Sequence, residues 1–213
     1  MAKKFSYLAI VFVCFLIVKS SLYPPLPKAT NPFYLYSNQI QVDLKRVMVT
    51  AIHSARRSIF LQIYGLTDPE LIALLQKKKD EGLDVKVYFD PSGSRQSLPS
   101  YATPIHCKGL MHKKILVIDE EKIFLGTANL TPSSLHFHSN VVLGIHSPLL
   151  AHHFSHSSSP GGLFNIGGIR METYQLPDPR GVALSRLCQC LDEAKNEIRL
   201  AIFTFTHPPA LFL

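Results

Sequence analysis

The sequence is short of charge, of cysteine and of long apolar runs. Charged residues make up 17% and hydrophobic residues 46% of its 213 positions, which excludes an intrinsically disordered chain and favours a packed globular core. Among the four cysteines, Cys188 and Cys190 are close neighbours but lack the second pair that a structural zinc site needs. No acidic residue occurs between Glu121 and Glu172. This gap and the formal net charge of +7 favour anionic partners, such as lipid head groups or nucleic acid, without choosing between them.

The longest apolar run, from Phe5 to Val18, has 14 residues, fewer than the roughly twenty that span a bilayer comfortably. Lys3 and Lys4 precede it and Lys19 follows it, as in a secretory signal peptide. An uncleaved membrane anchor and a buried core helix remain alternatives. We expect residues 1–20 to be a signal peptide or membrane anchor. The protein is then secreted, periplasmic or membrane-anchored, with membrane association through residues 5–18.

Helix and strand patterns alternate in the next part of the chain. Apolar residues recur at helical spacing after Asp43, and residues 58–64 have the composition of a buried strand. A Thr-x-x-Glu capping pattern at Thr67 predicts a second helix, and residues 83–89 predict another strand. This alternation predicts an α/β fold for a domain over residues 43–154. The proline-rich stretch over residues 21–42 is predicted to be a linker to that domain.

The last third of the sequence contains a predicted linker and a partial repeat. Three histidines, His152, His153 and His156, have no acid or cysteine beside them in the sequence, so we interpret them as a histidine-rich surface. The Ser- and Gly-rich residues 155–171 are predicted to be a linker. Residues 194–213 align without gaps with residues 55–74. We therefore expect residues 172–213 to be the start of a second, incomplete repeat.

Residues 112–129 are predicted to form a β-hairpin that gathers polar side chains at one place. Because side chains alternate along a strand, His112 and Lys114 are expected on the same face. If the hairpin turns between Glu120 and Glu121, Asn129 lies opposite His112 and Thr127 lies opposite Lys114. An imidazole, an ammonium, a hydroxyl and an amide then converge, a set that suits a phosphodiester.

The same stretch has the pattern His112-x-Lys114-x4-Asp119-x6-Gly126-Thr127-x-Asn129. This pattern resembles the signature, called the HKD motif, of the phospholipase D superfamily, although the usual form has serine at the position of Thr127. The resemblance implies a mixed β-sheet flanked by helices, with one complete repeat plus the start of a second. It is strong over residues 43–146 and partial over residues 180–213.

The resemblance also implies a reaction and a set of site residues. Its chemistry is phosphodiester cleavage through a phosphohistidine intermediate, without a metal or other cofactor. His112, Lys114, Asp119 and Asn129 are the implied catalytic residues, although the position of Asp119 at the turn predicts a structural role. Gly126 and Thr127 are the implied substrate-binding positions, Gly126 because it lets the backbone pass closely. Residues 130–171 lack the acidic residue with which many relatives orient the histidine.

Three functions are compatible with this resemblance. The first is a phospholipid-cleaving phosphodiesterase held at or exported across a membrane, which the apolar N-terminal run favours. The second is a metal-independent endonuclease, which the basic charge permits. The third is an inactive, truncated paralogue. Because the sequence contains one copy of the motif and the reaction uses two histidines, an active form is expected to be a homodimer.

Overall fold

The computed structural model describes residues 10–14, 23–94, 98–107, 109–156, 159 and 161–202. The chain divides into two compact units, one formed by Met1–Ser157 with Ile166–Ile169 and the other by Ser158–Asn165 with Arg170–Leu213. Residues 10–14 are helical, and the rest of the predicted signal peptide or anchor lies outside the described residues. Within the described ranges, no helix combines the length and hydrophobicity that crossing a membrane requires.

The first unit is built on a seven-stranded sheet. Its strands, in chain order, are β1 (Phe33–Ser37), β2 (Ser58–Ile63), β3 (Asp84–Phe89), β4 (Ala102–Pro104), β5 (Lys114–Ile118), β6 (Lys122–Gly126) and β7 (Val141–His146). In space the order is β1-β7-β6-β5-β2-β3-β4. The pairs β2–β3 and β3–β4 are parallel and the other pairs are antiparallel. The predicted α/β fold with a mixed sheet is therefore confirmed.

Helices cover both faces of this sheet. The helices are α1 (Leu44–Ser54), α2 (Pro69–Asp80), α3 (Pro132–His136) and α4 (Pro148–His156). α1 buries an apolar stripe at helical spacing and packs against α2 and α3 over the main core. In β5, Leu116 and Ile118 point into that core. Their buried neighbours Ile115 and Val117 point to the opposite face by strand alternation, and α4 packs against β5 and β6.

Both segments that were predicted to be linkers contain β-strands, so these two predictions are wrong in part. Within residues 21–42, β1 pairs with β7 at the edge of the sheet, because the aromatic and apolar residues 33–36 form a strand once the prolines end at Pro32. Within residues 155–171, β8 (Gly161–Ile166) and β9 (Ile169–Tyr174) form a two-stranded hairpin. Its turn residues Gly167 and Gly168 both have positive φ, a conformation that glycine adopts without strain.

The second unit contains part of the predicted repeat. Helix α5 (Val182–Asp192) follows β9 there, and Arg186 Nε donates to Glu172 Oε2 at 2.8 Å. Residues 194–202 contain no helix or strand, and residues 203–213 of the repeat lie outside the described residues. The incomplete second repeat stays a prediction.

The turn between β5 and β6 differs from the predicted one by a single position. Asp119 and Glu120 both have φ of 56°, and the Glu121 amide donates to Ile118 O at 3.0 Å, so the turn begins one residue earlier. The ladder sets Ile118 opposite Lys122. Continued along the strands, this register places Gly126 opposite Lys114, so the predicted pairing of Lys114 with Thr127 is wrong.

Asp119 fixes this turn to the start of β2. The carboxylate is buried, with 7% of the residue exposed, and it accepts hydrogen bonds from three successive amides, those of Arg56, Arg57 and Ser58, at 2.7 to 3.1 Å. A single side chain thus satisfies the backbone donors of the segment that leads from α1 into the sheet. The structural role predicted for Asp119 agrees with these contacts.

Replacing Asp119 with alanine is expected to lower the free energy of unfolding by about 3 kcal/mol, because several buried amides lose their acceptor together. Chemical denaturation of the full chain measures this loss. Asp84→Ala is the control, since Asp84 is exposed and its ion pair with Lys86 contributes at most about 1 kcal/mol. Equal effects of the two substitutions would contradict the role assigned to Asp119.

Candidate functional site

One end of the sheet collects most of the residues that the sequence singled out. The parallel strands β2 and β3 deliver their carboxyl ends there, followed by Tyr64 and Asp90. Because β5 is antiparallel to β2, it begins at that end with Lys114. β6 is antiparallel to β5 and ends there at Gly126. The turn that contains Asp119 lies at the opposite end of the same hairpin.

Tyr64 is the common neighbour of the two central residues. Its ring centroid lies 5.1 Å from that of His112, edge to face, and 5.5 Å from Lys114 Nζ. Lys114 Nζ also donates to the carbonyl oxygen of His112 at 2.9 Å. His112 and Lys114 thus both lie at the Tyr64 ring, with Lys114 as the first residue of β5 and His112 two residues before it. The His112 residue is exposed, so its imidazole is open to a substrate.

The electrostatic surroundings give these two groups protonation states that suit them to different roles. Partial burial lowers the pKa of His112, the neighbouring Lys114 charge lowers it further, and the Asp90 charge opposes both. His112 is therefore mainly neutral at pH 7 and has a free electron pair. Burial also lowers the pKa of Lys114 to about 8, so its ammonium is still mostly charged at pH 7.

Asn129 joins the site through the backbone that follows β2. Its side-chain oxygen accepts a hydrogen bond from the Gly65 amide at 3.2 Å, next to Tyr64. The Leu130 amide donates to Gly65 O at 2.9 Å and holds the two loops together. Because the carbonyl of the Asn129 side chain is used in this way, its NH₂ group is the part that can donate to a substrate oxygen.

Thr127 belongs to a polar network that sequence spacing did not reveal. The Thr127 hydroxyl donates to Asn140 Oδ1 at 2.8 Å and accepts from the Val141 amide at 3.0 Å. The buried Asn140 side chain donates to Ser134 Oγ at 2.9 Å, and Ser134 Oγ accepts from the Asn129 amide at 2.8 Å. Thr127 and Asn129 are thus linked through α3 and β7, and not by pairing across the hairpin.

Gly126 confirms the expected close approach of two backbones. A Cβ atom at this position would overlap Val141 O, so any side chain would force β6 and β7 apart. Asp119, in contrast, makes its contacts at the other end of the sheet. The structure therefore brings His112, Lys114, Asn129, Gly126 and Thr127 to one end and leaves Asp119 outside the group.

Asp90 is a residue of this site that sequence reasoning missed. It is 5% exposed, and its Oδ2 accepts a hydrogen bond from the amide of Met111, the residue before His112, at 2.8 Å. Its other oxygen accepts hydrogen bonds from the Ser92 hydroxyl at 2.5 Å and from the Ser92 amide at 2.8 Å. The hydroxyl contact above all, together with the amide contacts, lowers the pKa of Asp90 and keeps it charged. The signal in the sequence is its position immediately after the buried strand β3.

Residues 130–171 contain no acidic residue, but the Asp90 carboxylate supplies a negative charge near His112. Asp90→Asn is therefore expected to lower the pKa of His112, because the opposing charge disappears while an acceptor for the Met111 amide remains. Titration of the His112 ring protons by NMR measures the change. Asp84→Asn, at the other end of the sheet, should leave it unaltered. A rise in the His112 pKa in Asp90→Asn would contradict the assignment of Asp90 as the charge that raises this pKa.

Imidazole, ammonium, hydroxyl and amide groups at one end of an α/β sheet have the chemistry of a phosphodiester-processing site. A domain family described as "Cardiolipin synthase, PLD-like domain" matches residues 48–157, just over half of the chain. This match includes the site residues that the sequence predicted: His112, Lys114, Asp119, Gly126, Thr127 and Asn129.

Individual proteins support the same assignment. Cardiolipin synthase 1 of Bacillus anthracis is 27% identical over 114 residues, which are 47% of this chain and 22% of that protein. Phospholipase D of Rickettsia bellii is 28% identical over 92 residues, which are 39% of this chain and 46% of that protein. The match thus spans less than half the length of either curated relative.

A solved structure shows the same fold. The phospholipase D family member Nuc from Salmonella typhimurium superposes with a TM-score of 0.51 at 22% identity, over 57% of this chain and 88% of Nuc. From its matching domain and its fold, the chain belongs to the phospholipase D superfamily.

Proposed function

We propose that this protein hydrolyses phospholipid phosphodiester bonds through a phosphohistidine intermediate on His112. The observation that carries the proposal is the meeting of a neutral, exposed imidazole and a charged lysine at the ring of Tyr64. An attacking nitrogen and a fixed cation are thereby held at one open surface, where an esterified phosphate can reach both.

Each site residue has a role in this reaction. A ring nitrogen of neutral His112 attacks phosphorus, the nitrogen–phosphorus bond forms, and the bond to the head-group oxygen breaks. Lys114 and the Asn129 amide hold the phosphoryl oxygens, and the Thr127 hydroxyl assists beside them. A second imidazole donates a proton to the departing head group. The same imidazole then takes a proton from water, which attacks phosphorus and releases phosphatidate and His112.

The second imidazole comes, in this proposal, from His112 of a second copy of the chain. Two imidazoles with opposite protonation states are needed, and a two-fold axis through the site would supply both from one sequence position. The exposure of His112 supports this arrangement, because a partner surface can approach it. Leu110, two residues earlier, is 59% exposed and offers apolar area at the same place.

A lipid substrate is favoured over nucleic acid by the names of the matching relatives, phospholipase D and cardiolipin synthase. The apolar run at residues 5–18 supports the same choice, since a chain held at a bilayer meets lipid esters first. The protein is accordingly proposed to be exported or membrane-anchored.

The test uses the full chain in mild detergent with vesicles of phosphatidylcholine and phosphatidylglycerol. Release of choline or glycerol is measured beside degradation of single- and double-stranded DNA, with a chelator present. Head-group release that exceeds DNA cleavage supports the proposal. DNA cleavage alone would favour the endonuclease, and turnover of neither substrate would favour the inactive paralogue; each result overturns the lipid assignment.

A further inference from the structure

A second group of polar side chains lies at the other end of the sheet. Glu120, His152 and His156 each offer one ligand atom, and these three atoms lie within 4.8 Å of one another. Glu120 belongs to the turn between β5 and β6, whereas the two histidines belong to α4. The site proposed for phosphodiester cleavage is at the opposite end of that hairpin, so the two sites share no residue.

Local structure presents the three side chains to one point. His152 and His156 are four residues apart on α4, so they lie on the same helix face, and their rings stack with centroids 4.6 Å apart. Glu120 has positive φ within the tight turn, next to the anchored Asp119. Its Oε1 lies 3.4 Å from His156 Nε2.

Ser155 sets the orientation of the His156 ring. The Ser155 hydroxyl donates to Ala151 O at 2.9 Å, so its oxygen can accept from His156 Nδ1, which lies 2.9 Å away. When the neutral His156 ring carries its proton on Nδ1, the electron pair on its Nε2 points toward Glu120. Histidines that bind metals typically donate their other ring N–H to an oxygen in this way.

We propose that Glu120, His152 and His156 bind a Zn²⁺ ion, or a transition-metal ion of similar preference, that fastens α4 to the turn between β5 and β6. Two imidazoles and one carboxylate are a ligand set that zinc favours, with water in the fourth position. Tetrahedral ligands at zinc distances are about 3.4 Å apart, close to the separation of Glu120 Oε1 and His156 Nε2. All three side chains are exposed, so the stacked rings can rotate about their side-chain torsions to bring both nitrogens to one ion.

The neighbouring cations do not prevent binding of an ion. Lys86 Nζ lies 2.9 Å from Asp84, and Lys122 Nζ lies 3.9 Å from Glu121, so each has an acidic partner of its own. The site also corrects the interpretation of the histidines as lacking an acid. The acid comes from Glu120, which is distant in the sequence and is brought to α4 by the sheet.

The first experiment titrates the reduced full chain with Zn²⁺ by isothermal calorimetry and follows thermal unfolding. We expect one equivalent to bind and, at about a hundredfold excess over the dissociation constant, to raise the Tm by about 5 to 10 °C. Mg²⁺, which prefers oxygen ligands, should produce no such shift.

Substitutions locate the ion. Glu120→Gln, His152→Asn and His156→Asn should each weaken Zn²⁺ binding at least tenfold, and Ser155→Ala should weaken it by roughly tenfold as the loss of an orienting contact. His53→Asn is the matched control, because His53 is also an exposed histidine in the last turn of a helix. Binding that persists in all three ligand variants, or the absence of binding to the wild-type chain at roughly 100 µM Zn²⁺, overturns the proposal.

Discussion

His112→Ala is expected to lower kcat for head-group release by about 10⁴-fold or more, because the reaction loses the nucleophile that forms the covalent intermediate. No other group in the described site can replace it, since Lys114 is mostly charged at pH 7 and the Thr127 hydroxyl proton is committed to Asn140. The exposure of His112 predicts little change in stability, so the Tm of the variant should stay close to that of the wild type.

The His112 variant has a matched control and a clear contrary outcome. His53→Ala removes an exposed imidazole from α1, far from the motif in the sequence, and should retain full turnover. Activity that survives in His112→Ala would place the nucleophile elsewhere and remove the mechanism proposed for this site.

The same variant tests the proposed dimer. If each active site uses His112 from both copies, a dimer of one wild-type and one variant chain is inactive. An equal mixture of the two chains, after subunit exchange, then retains roughly a quarter of the activity of a wild-type sample at the same total concentration. If the chains act as independent monomers, the mixture would retain half of that activity. Sizing by light scattering under the same conditions shows which species is present.

Lys114→Met is expected to lower kcat by about 10²- to 10³-fold, because the transition state loses a cation fixed against the phosphoryl oxygens. Methionine keeps most of the length and apolar contact of the lysine side chain. The contact between His112 and Tyr64 is therefore retained while the charge is removed.

The pH profile provides a separate test of the Lys114 charge. With a pKa of about 8, Lys114 is protonated below that pH and loses its charge as the pH rises through it, so wild-type kcat/KM should show a fall near pH 8, in addition to the fall at lower pH that follows deprotonation of the second imidazole. The acidic limb should lie below the ordinary histidine range, since His112 acts in its neutral form and its pKa is lowered.

Lys114→Arg tests whether the alkaline limb comes from loss of the Lys114 charge or from another group. Arginine stays charged throughout the alkaline part of the profile, so this limb should disappear even if the different shape of the guanidinium reduces the maximal rate. An alkaline limb that remains near pH 8 in this variant would assign it to another group.

The local pattern of the sequence was enough to predict the fold class and the central pair of the site. Alternation along a strand over residues 112–118 predicted His112 and Lys114 close together, and both contact Tyr64 although β5 begins only at Lys114. The helical spacing after Asp43 similarly predicted α1 and its buried face. These features depend on residues only a few positions apart, whose relative placement is set by backbone geometry.

The predicted hairpin register was wrong because the geometry of the turn could not be counted from the sequence. Left-handed conformations at Asp119 and Glu120 moved the hairpin register by one residue, and a shift of one position changes every cross-strand partner. The polar groups still converge, because Thr127 and Asn129 lie beyond β6 and are positioned by Asn140, Ser134 and Gly65. No sequence spacing within the motif encodes those contacts.

By itself, the sequence determined the kinds of chemistry available: a single copy of the motif over residues 112–129, an α/β framework and a basic balance of charge. Only the tertiary structure decided which distant residues complete each site. It placed Tyr64 and Asp90 beside His112, and it brought Glu120 to the histidines of α4. The reason is physical: strand order and direction set which chain segments meet at each end of the sheet, and they follow from packing of the whole core.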